Sequence, residues 1–598
     1  MLLKGSSVII EIHPTHRLGM RYRPITLTLT LLLALTACGE KIEETATQAQ
    51  VTQAQWTKGA MVTAANPYAV NAGIEILKAG GTAVDAAIAT HLVLGLVEPQ
   101  SSGLGGGAFL LHFDYASKDM AFYDGRETAP AGAKIDMFMG EDGVLGFFEA
   151  VQSGHAIGTP GAVRLYEMVH ARHGRLPWAA LFQPALTLAR EGFIVSPRLA
   201  GYLPFMAERT RLAINPGVKD YFFPGGEALT AGALLTNPEY AETLERLATE
   251  GADAFYEGAI AQAIVEAASL APRPGTLTLD DLAQYEAVER PVICGPFRDL
   301  RICTTTPPSS GGAQIIIANL YDHLLPPEPS QMDRIQAFVD AQRLAYADRD
   351  HYFGDPDEVD IPLDALMNPN YLRARALERF APDALPTPGD PSPFAANQDT
   401  ASQFGRDTTE EIAGTTHLSI IDQEGNAVSM TATVEGPFGS QRWAKGFVLN
   451  NEMTDFARAV PEKGERLANA VAPNRRPRSS MSPTMVVNDA NDLVLVTGSP
   501  GGNSIPAYVA KTLLGVLDWG MTAQAAADAP NIIARGEKVR VEVGEPGGQA
   551  IADGLNAKGY LVQAREGENS GLHLIHINES RLDGAADKRR EGIVRQLP

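Results

Sequence analysis

Gly414-Thr415-Thr416-His417-Leu418-Ser419 follows a polar run without periodicity and opens a strand-like segment, Leu418 to Ile421. The turn Asp422-Gln423-Glu424-Gly425-Asn426 closes that segment, and a second strand follows at Ala427 to Val434. A threonine hydroxyl is a poor nucleophile at neutral pH. At a chain terminus it carries its own base, because the α-amine of the same residue can take the proton. Such an amine has a pKa of about 7.7–8.0, so a useful fraction is unprotonated near pH 7. An internal threonine gains that amine only when the peptide bond before it is cut. Gly414 suits the cut, since a residue without Cβ tolerates strained backbone and close attack. The stretch is thus compatible with cleavage between Gly414 and Thr415, which would make Thr415 a nucleophile. Taken alone it also reads as a threonine-rich edge strand after a loop, so the rest of the chain has to decide.

The chain has 598 residues, 45% apolar and 20% charged, which is ordinary for a globular protein with a real core. Its formal charge is -22. An acidic protein without a basic patch is repelled by phosphate, which excludes nucleic acid as a natural partner. There are three cysteines, with no CxxC pair and no HExxH spacing, so no metal site is expected. His170 and His173, like His573 and His576, stand three apart and read as surface or strand residues.

Residues 25–37 form an apolar run too short to span a bilayer, preceded by Arg21 and Arg23, which is the pattern of a secretory signal. Leu35-Thr36-Ala37-Cys38 has the form of a bacterial lipoprotein box, in which Cys38 carries the lipid. Met20 reads as the true start. Residues 39–55, rich in Glu, Thr, Gln and Ala, read as a flexible tether. The expected organisation is a signal over 1–37, a lipid-anchored linker over 38–55, a large subunit over 56–414 and a small subunit over 415–598. The expected location is the periplasm or cell surface.

Ala60 to Ala65 reads as a strand. Asn66-Pro67 then caps a helix over Tyr68 to Ala79, and Thr82 caps a second over Ala83 to Leu96. The glycine-rich loop Gly103-Leu104-Gly105-Gly106-Gly107 lacks both GxGxxG and GxxxxGK[ST], so it predicts close backbone packing and not a phosphate cradle. Strands follow at Ala108 to Phe113 and Met120 to Tyr123. A helical region extends from about 163 to 270, and Leu277 to Tyr285 reads as a capped helix. Arg290 to Cys294 and Leu300 to Cys303 form a predicted hairpin with the two cysteines opposite each other. Both a disulfide and a reduced, buried pair fit that register. Residues 380–413 read as a loop, useful just before a bond that must be exposed and cut. Further on, Phe447 to Asn450 reads as a strand and Ile505 to Leu517 as a helix.

Several short motifs punctuate this framework. They are Arg126-Glu127-Thr128-Ala129-Pro130, Gly158-Thr159-Pro160-Gly161, Thr306-Pro307-Pro308-Ser309-Ser310-Gly311-Gly312 and Ala345-Tyr346-Ala347-Asp348-Arg349. After Thr415 come Asn451-Glu452-Met453-Thr454-Asp455-Phe456, the run Pro473 to Thr484, Gly498-Ser499-Pro500-Gly501-Gly502, and Gly584 to Gly592. Together, over residues 59–592, they resemble the γ-glutamyltransferase family, whose proenzymes cut themselves before the first threonine of a Thr-Thr-His motif.

The resemblance implies an α+β fold, the four-layer αββα sandwich of N-terminal-nucleophile hydrolases, built jointly by both cleavage fragments. It implies that Thr433 supports Thr415 by hydrogen bonding. Arg126, Ser479 and Ser480 would hold the substrate's α-carboxylate, for which a guanidinium is apt. Glu452 and Asp455 would bind its α-ammonium, a cation that relieves two nearby carboxylates. The backbone N–H groups of Gly501 and Gly502 would stabilise the oxyanion, typically about 2.7–4 kcal/mol per donor. No metal or organic cofactor is implied. The implied partners are a small γ-glutamyl compound, such as glutathione, and water or an amino acid or peptide as acceptor. The membrane enters only through the lipid anchor.

Two departures bear on specificity. Many members carry asparagine where this chain has Glu435, beside the substrate's amino end. The segment from Asp455 to Ser479 is short and holds no tyrosine, where relatives often carry a lid tyrosine. These leave room for an acylase of the same fold acting on glutaryl or cephalosporin-type amides. Glu452 and Asp455 argue against it, since a glutaryl group has no ammonium. A non-catalytic surface lipoprotein that kept the fold is the remaining alternative.

Overall fold

The computed structural model describes residues 56–598 apart from 379, 396–403, 413, 462–465 and 580. The apolar run 25–37, Cys38 and the tether 39–55 lie outside the described residues. Among those described, no helix is long and apolar enough to cross a membrane.

Two antiparallel sheets form the centre. The part of the chain before Gly414 supplies β1 (Ala60–Ala64), β2 (Gly107–Phe113), β3 (Met120–Gly125), β4 (Val288–Arg290), β5 (Val292–Phe297) and β6 (Leu300–Thr305). The part after it supplies β7 (Thr416–Ile421), β8 (Ala427–Thr433), β9 (Thr484–Asn488) and β10 (Leu493–Thr497), then β11 (His573–Ile577), β12 (Leu582–Ala586) and β13 (Ile593–Leu597). The first sheet runs β13-β1-β7-β8-β2-β3-β4 and the second β12-β11-β10-β9-β6-β5.

Side chains on a strand alternate between faces, and here both faces are buried. Phe109, Leu111 and Phe113 of β2 join the core shared with the second sheet, while Ala108 and Leu110 join the core on the opposite face. The helices Pro67–Lys78 and Ala83–Val97 cover that opposite face, and Gly312–Leu324, Ile505–Leu517 and Ala523–Asp528 pack on the second sheet. The layers are helix, sheet, sheet, helix, as the family resemblance implies.

Local chemistry fixes where the helices begin. The Asn66 side chain accepts from the Tyr68 N–H at 3.0 Å with Pro67 at the first helical position. Thr82 and Asp85 form a reciprocal capping box. Asp422, in the turn between β7 and β8, accepts from the Ala83 N–H and from Asn426 Nδ2, each at 3.0 Å. The hairpin that carries Thr415 is thereby tied to the start of a buried helix. The glycine-rich loop is a close-packing device: a Cβ on Gly106 would lie 1.9 Å from the Thr433 carbonyl oxygen, and one on Gly105 2.2 Å from that of Val448.

Three expectations change at their edges. The helix expected over 277–285 spans only Leu279–Ala283, and the strand expected over 447–450 spans only Phe447–Val448. Asn450 leaves that strand because its side chain is engaged with Gly105 and Gly158. The helical region 163–270 is several helices, broken at Gly174, Gly192 and Gly251.

Cys294 on β5 and Cys303 on β6 are register partners and are joined as a disulfide. Closing so short a loop constrains the unfolded chain by about 2–3 kcal/mol. Urea unfolding of the Cys294→Ala/Cys303→Ala protein should show a loss of that size, and an unchanged midpoint would mean the bond adds nothing.

Candidate active site

Thr415 sits at the N-terminal end of β7. The β7–β8 register places Thr416 opposite Ala432, so one further step brings Thr415 to Thr433. Their hydroxyl oxygens are 3.1 Å apart, and both side chains are buried. The Glu435 N–H donates to Thr433 Oγ1 at 2.7 Å. With that donor on its oxygen, the Thr433 proton is free for Thr415.

The space before Thr415 is tighter than backbone freedom alone requires. A Cβ on Gly414 would lie 1.8 Å from the Glu435 carbonyl oxygen. No other residue fits there, so Gly414 is needed for room. Glu435 has φ 73°, a left-handed conformation that costs an ordinary side chain energy. Its side chain is anchored by Asn451 Nδ2 and by the Ile412 N–H, the latter at 3.1 Å.

His417, two residues on, is not positioned as a base. Its ring is buried between Thr431 Oγ1 at 2.9 Å and Ser419 Oγ at 3.1 Å. Burial, with His573 nearby, holds it well below the usual imidazole range, so it stays neutral. It packs under Gly498, whose Cβ would lie 2.3 Å from the ring. His417 therefore spaces β7 from the Gly498–Gly502 loop. In that loop Gly501 has φ 139° and Gly502 φ 55°, and the helix Ile505–Leu517 follows.

Arg126, Thr415, Thr433, Glu435, Glu452, Asp455, Ser479, Ser480 and Gly502 line one pocket. Gly414 and Gly501 adjoin it in the chain. The residues singled out in the sequence thus converge on one place. Their pairing differs in one respect from the implied roles. Arg126 bonds Glu452 and, at 2.6 Å, Asp455, so the expected carboxylate holder neutralises the expected ammonium holders. Burial opposes the Arg126 cation, but Glu452, Asp455 and Glu127 outweigh it and push its pKa up. Burial also pushes the Glu127, Glu452 and Asp455 carboxyls up, the last helped by Glu411. Glu435 is raised by burial and then by Asp455. Such a cluster is costly with fewer cations than carboxylates, and an ammonium group would relieve it.

Sequence reasoning left four members of the site without a role. Arg349 donates to Ser480 Oγ at 2.6 Å and to Glu411 Oε1 at 3.0 Å. Arg478 pairs with Asp407 at 3.0 Å. Arg349 and Arg478 hold the Glu411 carboxyl below its ordinary range against the opposing effect of burial. Glu411 and Ile412 line the pocket around Thr415, which holds only about 10 Å³ of free space. The Arg349 signal was present, since Ala345 to Arg349 is one of the motifs; Glu411 lies in an aperiodic run that signals nothing.

With this geometry in hand, the comparisons are specific. A family model described as Gamma-glutamyltranspeptidase matches residues 69–597. The chain belongs to the γ-glutamyltranspeptidase family. It is 34% identical to a glutathione hydrolase proenzyme of Bacillus subtilis (strain 168), over 90% of this chain and 91% of that one. It is 36% identical to a glutathione hydrolase proenzyme of Escherichia coli (strain K12), over 89% and 90%. Among solved structures it resembles a cephalosporin acylase from Bacillus halodurans, with TM-score 0.78, 25% identity and coverage of 91% and 96%. The γ-glutamyltranspeptidase match spans every pocket residue named above and every strand of the two sheets except β1.

The Glu435 carboxyl gives a pH test. Its pKa is raised in the folded chain, so the fold binds its proton more tightly than the unfolded chain does. Its stabilising effect is therefore complete below the ordinary value of 4.5 and is lost as pH rises toward the folded value. In a Thr415→Ala background, Glu435→Gln should gain stability over Glu435 as pH rises from 4 to 8, read by denaturant unfolding at each pH. A pH-independent difference would show that Glu435 does not titrate as a buried acid.

Proposed function

We propose that the chain is a self-cleaving γ-glutamyltransferase and hydrolase, in which Thr415 becomes the N-terminal nucleophile of a small subunit. Family membership and two glutathione hydrolase proenzyme relatives support this reading. The observation that carries it is the 3.1 Å approach of the Thr415 and Thr433 hydroxyls inside the pocket that also holds Arg126, Glu452 and Asp455.

Cleavage at Gly414–Thr415 would convert the Thr415 amide to an amine and release the tail bearing Glu411 from the pocket. Thr415 Oγ then attacks the γ-carbonyl of glutathione or another γ-glutamyl compound, and the new amine takes the proton. The N–H groups of Gly501 and Gly502 face the oxyanion. The C–N bond breaks, the departing amine takes the proton, and a γ-glutamyl ester remains on Thr415. Water returns glutamate; an amino acid or peptide gives a new γ-glutamyl amide.

In this reading the donor's two α-substituents separate the pairs seen in the intact chain. The α-ammonium takes the place of Arg126 beside Glu452 and Asp455, and the α-carboxylate meets Arg126, Ser479 and Ser480. Glu435 adds a third carboxylate at the amino end. The leader implies that Cys38 is lipidated and that the enzyme is held at the periplasmic or outer surface of a membrane.

Purified protein should give two fragments, the smaller beginning with Thr415, and Thr415→Ala should stay intact. Thr415→Ala should also lose at least about a thousand-fold in turnover of a chromogenic γ-glutamyl anilide, as loss of a nucleophile does. A glutaryl anilide, which lacks the α-amine, should be a poor substrate of the processed enzyme. Preference for the glutaryl compound would overturn the proposal in favour of an acylase, in keeping with the cephalosporin acylase likeness.

A further inference from the structure

Two cavities adjoin the nucleophile pocket. One is shared through Glu411 and the other through Ile412. In the first, three of the arginines are answered by carboxylates: Arg535 and Arg406 lie 3.0 and 3.9 Å from Asp350, and Arg540 lies 3.1 Å from Glu568. The second differs. It has a volume of about 720 Å³ and is walled by Arg198, Tyr202, Phe205, Pro437, Asn569 and Arg590.

The hydrogen bonds of its two central guanidinium groups go to neutral atoms. Arg198 bonds Tyr202 OH at 3.4 Å and Asn569 Oδ1 at 3.2 Å, and its Nε is buried without a hydrogen-bond partner. Arg590, 5% exposed, bonds Ser101 Oγ and the carbonyls of Ser570 and Asn569, at 3.4, 3.2 and 3.3 Å. Two acids stand near. Glu591, which also lines the cavity, turns one carboxylate oxygen to the Arg198 backbone N–H at 2.9 Å and leaves the other buried without a hydrogen-bond partner. Glu98 is fully buried, and burial pushes its carboxyl up despite the pull of Arg198 and Arg590.

We propose that this cavity is a carboxylate site for the amine half of the substrate, a departing or accepting amino acid or short peptide with a free C-terminal carboxylate. The inference rests on the γ-glutamyl reading of Thr415. Among the described residues neither guanidinium forms an ion pair, Glu98 acting on both only at longer range, and a carboxylate laid across Arg198 and Arg590 supplies charge-assisted hydrogen bonds. Tyr202, Phe205 and Pro437 offer an apolar wall, with Phe205 45% exposed, which suits an aliphatic or aromatic side chain on the same ligand. Ile412 stands between this site and Thr415 and belongs to the tail that cleavage frees. Once the tail moves, a donor carbonyl at Thr415 points its leaving amine toward Arg198. The chemical step is unaltered: the C–N bond breaks, the amine leaves with the proton from the Thr415 amine, and its distant carboxylate stays bound to the guanidinium pair.

The test compares glycylphenylalanine with glycylphenylalaninamide as acceptors from one γ-glutamyl anilide. The processed enzyme should favour the free acid by at least about tenfold in kcat/KM, the size of one good charge-assisted contact. Arg198→Met should shrink that ratio to within about twofold, and Arg198→Lys should restore part of it. Because the ratio is taken within each variant, a general loss of activity cancels. Equal use of acid and amide by the native enzyme, or an unchanged ratio in Arg198→Met, would overturn the inference. Release of the anilide's amine in water tests the γ-glutamyl reading separately. If that release is absent, ligand-observed NMR with the two dipeptides decides: binding of the acid alone, lost in Arg198→Met, sustains the site, and equal signals reject it.

Discussion

The register of one hairpin governs the site. The pairing of Thr416 with Ala432 brings two hydroxyls into contact that the chain keeps a full hairpin apart. A slip of one residue would turn every side chain of β7 to the wrong face. Several restraints oppose such a slip. Asp422 ties the turn to the helix at Ala83, His417 wedges beneath Gly498, and Gly414 has room for no side chain. Thr415 is thus placed by backbone packing, and the polar groups around it are set afterwards.

Electrostatics form a second level of organisation. Five carboxylates, Glu127, Glu411, Glu435, Glu452 and Asp455, are buried around Arg126, Arg349 and Arg478. The intact chain lowers this cost by internal pairing, with Arg126 on Glu452 and Asp455 and Arg349 on Glu411. A zwitterionic ligand offers opposite charges to both sides of such a pairing, and a purely anionic one offers only half. The same groups can therefore hold the unoccupied site together and discriminate among its occupants.

Much of this is legible in the sequence because it is local. Asn66-Pro67, Thr82 and the turn at Asp422 announce their elements through side chains within a few residues, and the helix Ile505–Leu517 has the bounds its pattern predicts. Thr415 and Thr433 flank a hairpin whose turn, Asp422 to Asn426, is readable, while their contact is implied by the family resemblance and appears in the strand register. Arg349 is different: it sits late in the long helix Gln331–Tyr352, where its sequence neighbours say nothing of Ser480 or Glu411. Arg198 and Arg590 lie far apart in the chain, and only tertiary folding makes them neighbours. The half-way case is the Cys294–Cys303 pair, whose register was readable while its oxidation was not.

The interleaving of the strands has a consequence for the life history of the molecule. In the first sheet β1 lies between β13 and β7, and β8 lies against β2, so segments from before and after Gly414 alternate as neighbours. A cut at Gly414 would leave the two pieces clasped, since parting them means stripping whole strands from both sheets. Folding of the intact chain is a unimolecular search. Refolding of the severed pair is a bimolecular encounter, slower at every dilution and exposed to aggregation of two incomplete sheets. Maturation by such a cut would act as a ratchet: the protein would assemble readily only once, and its durability afterwards would be set by the height of the barrier to opening.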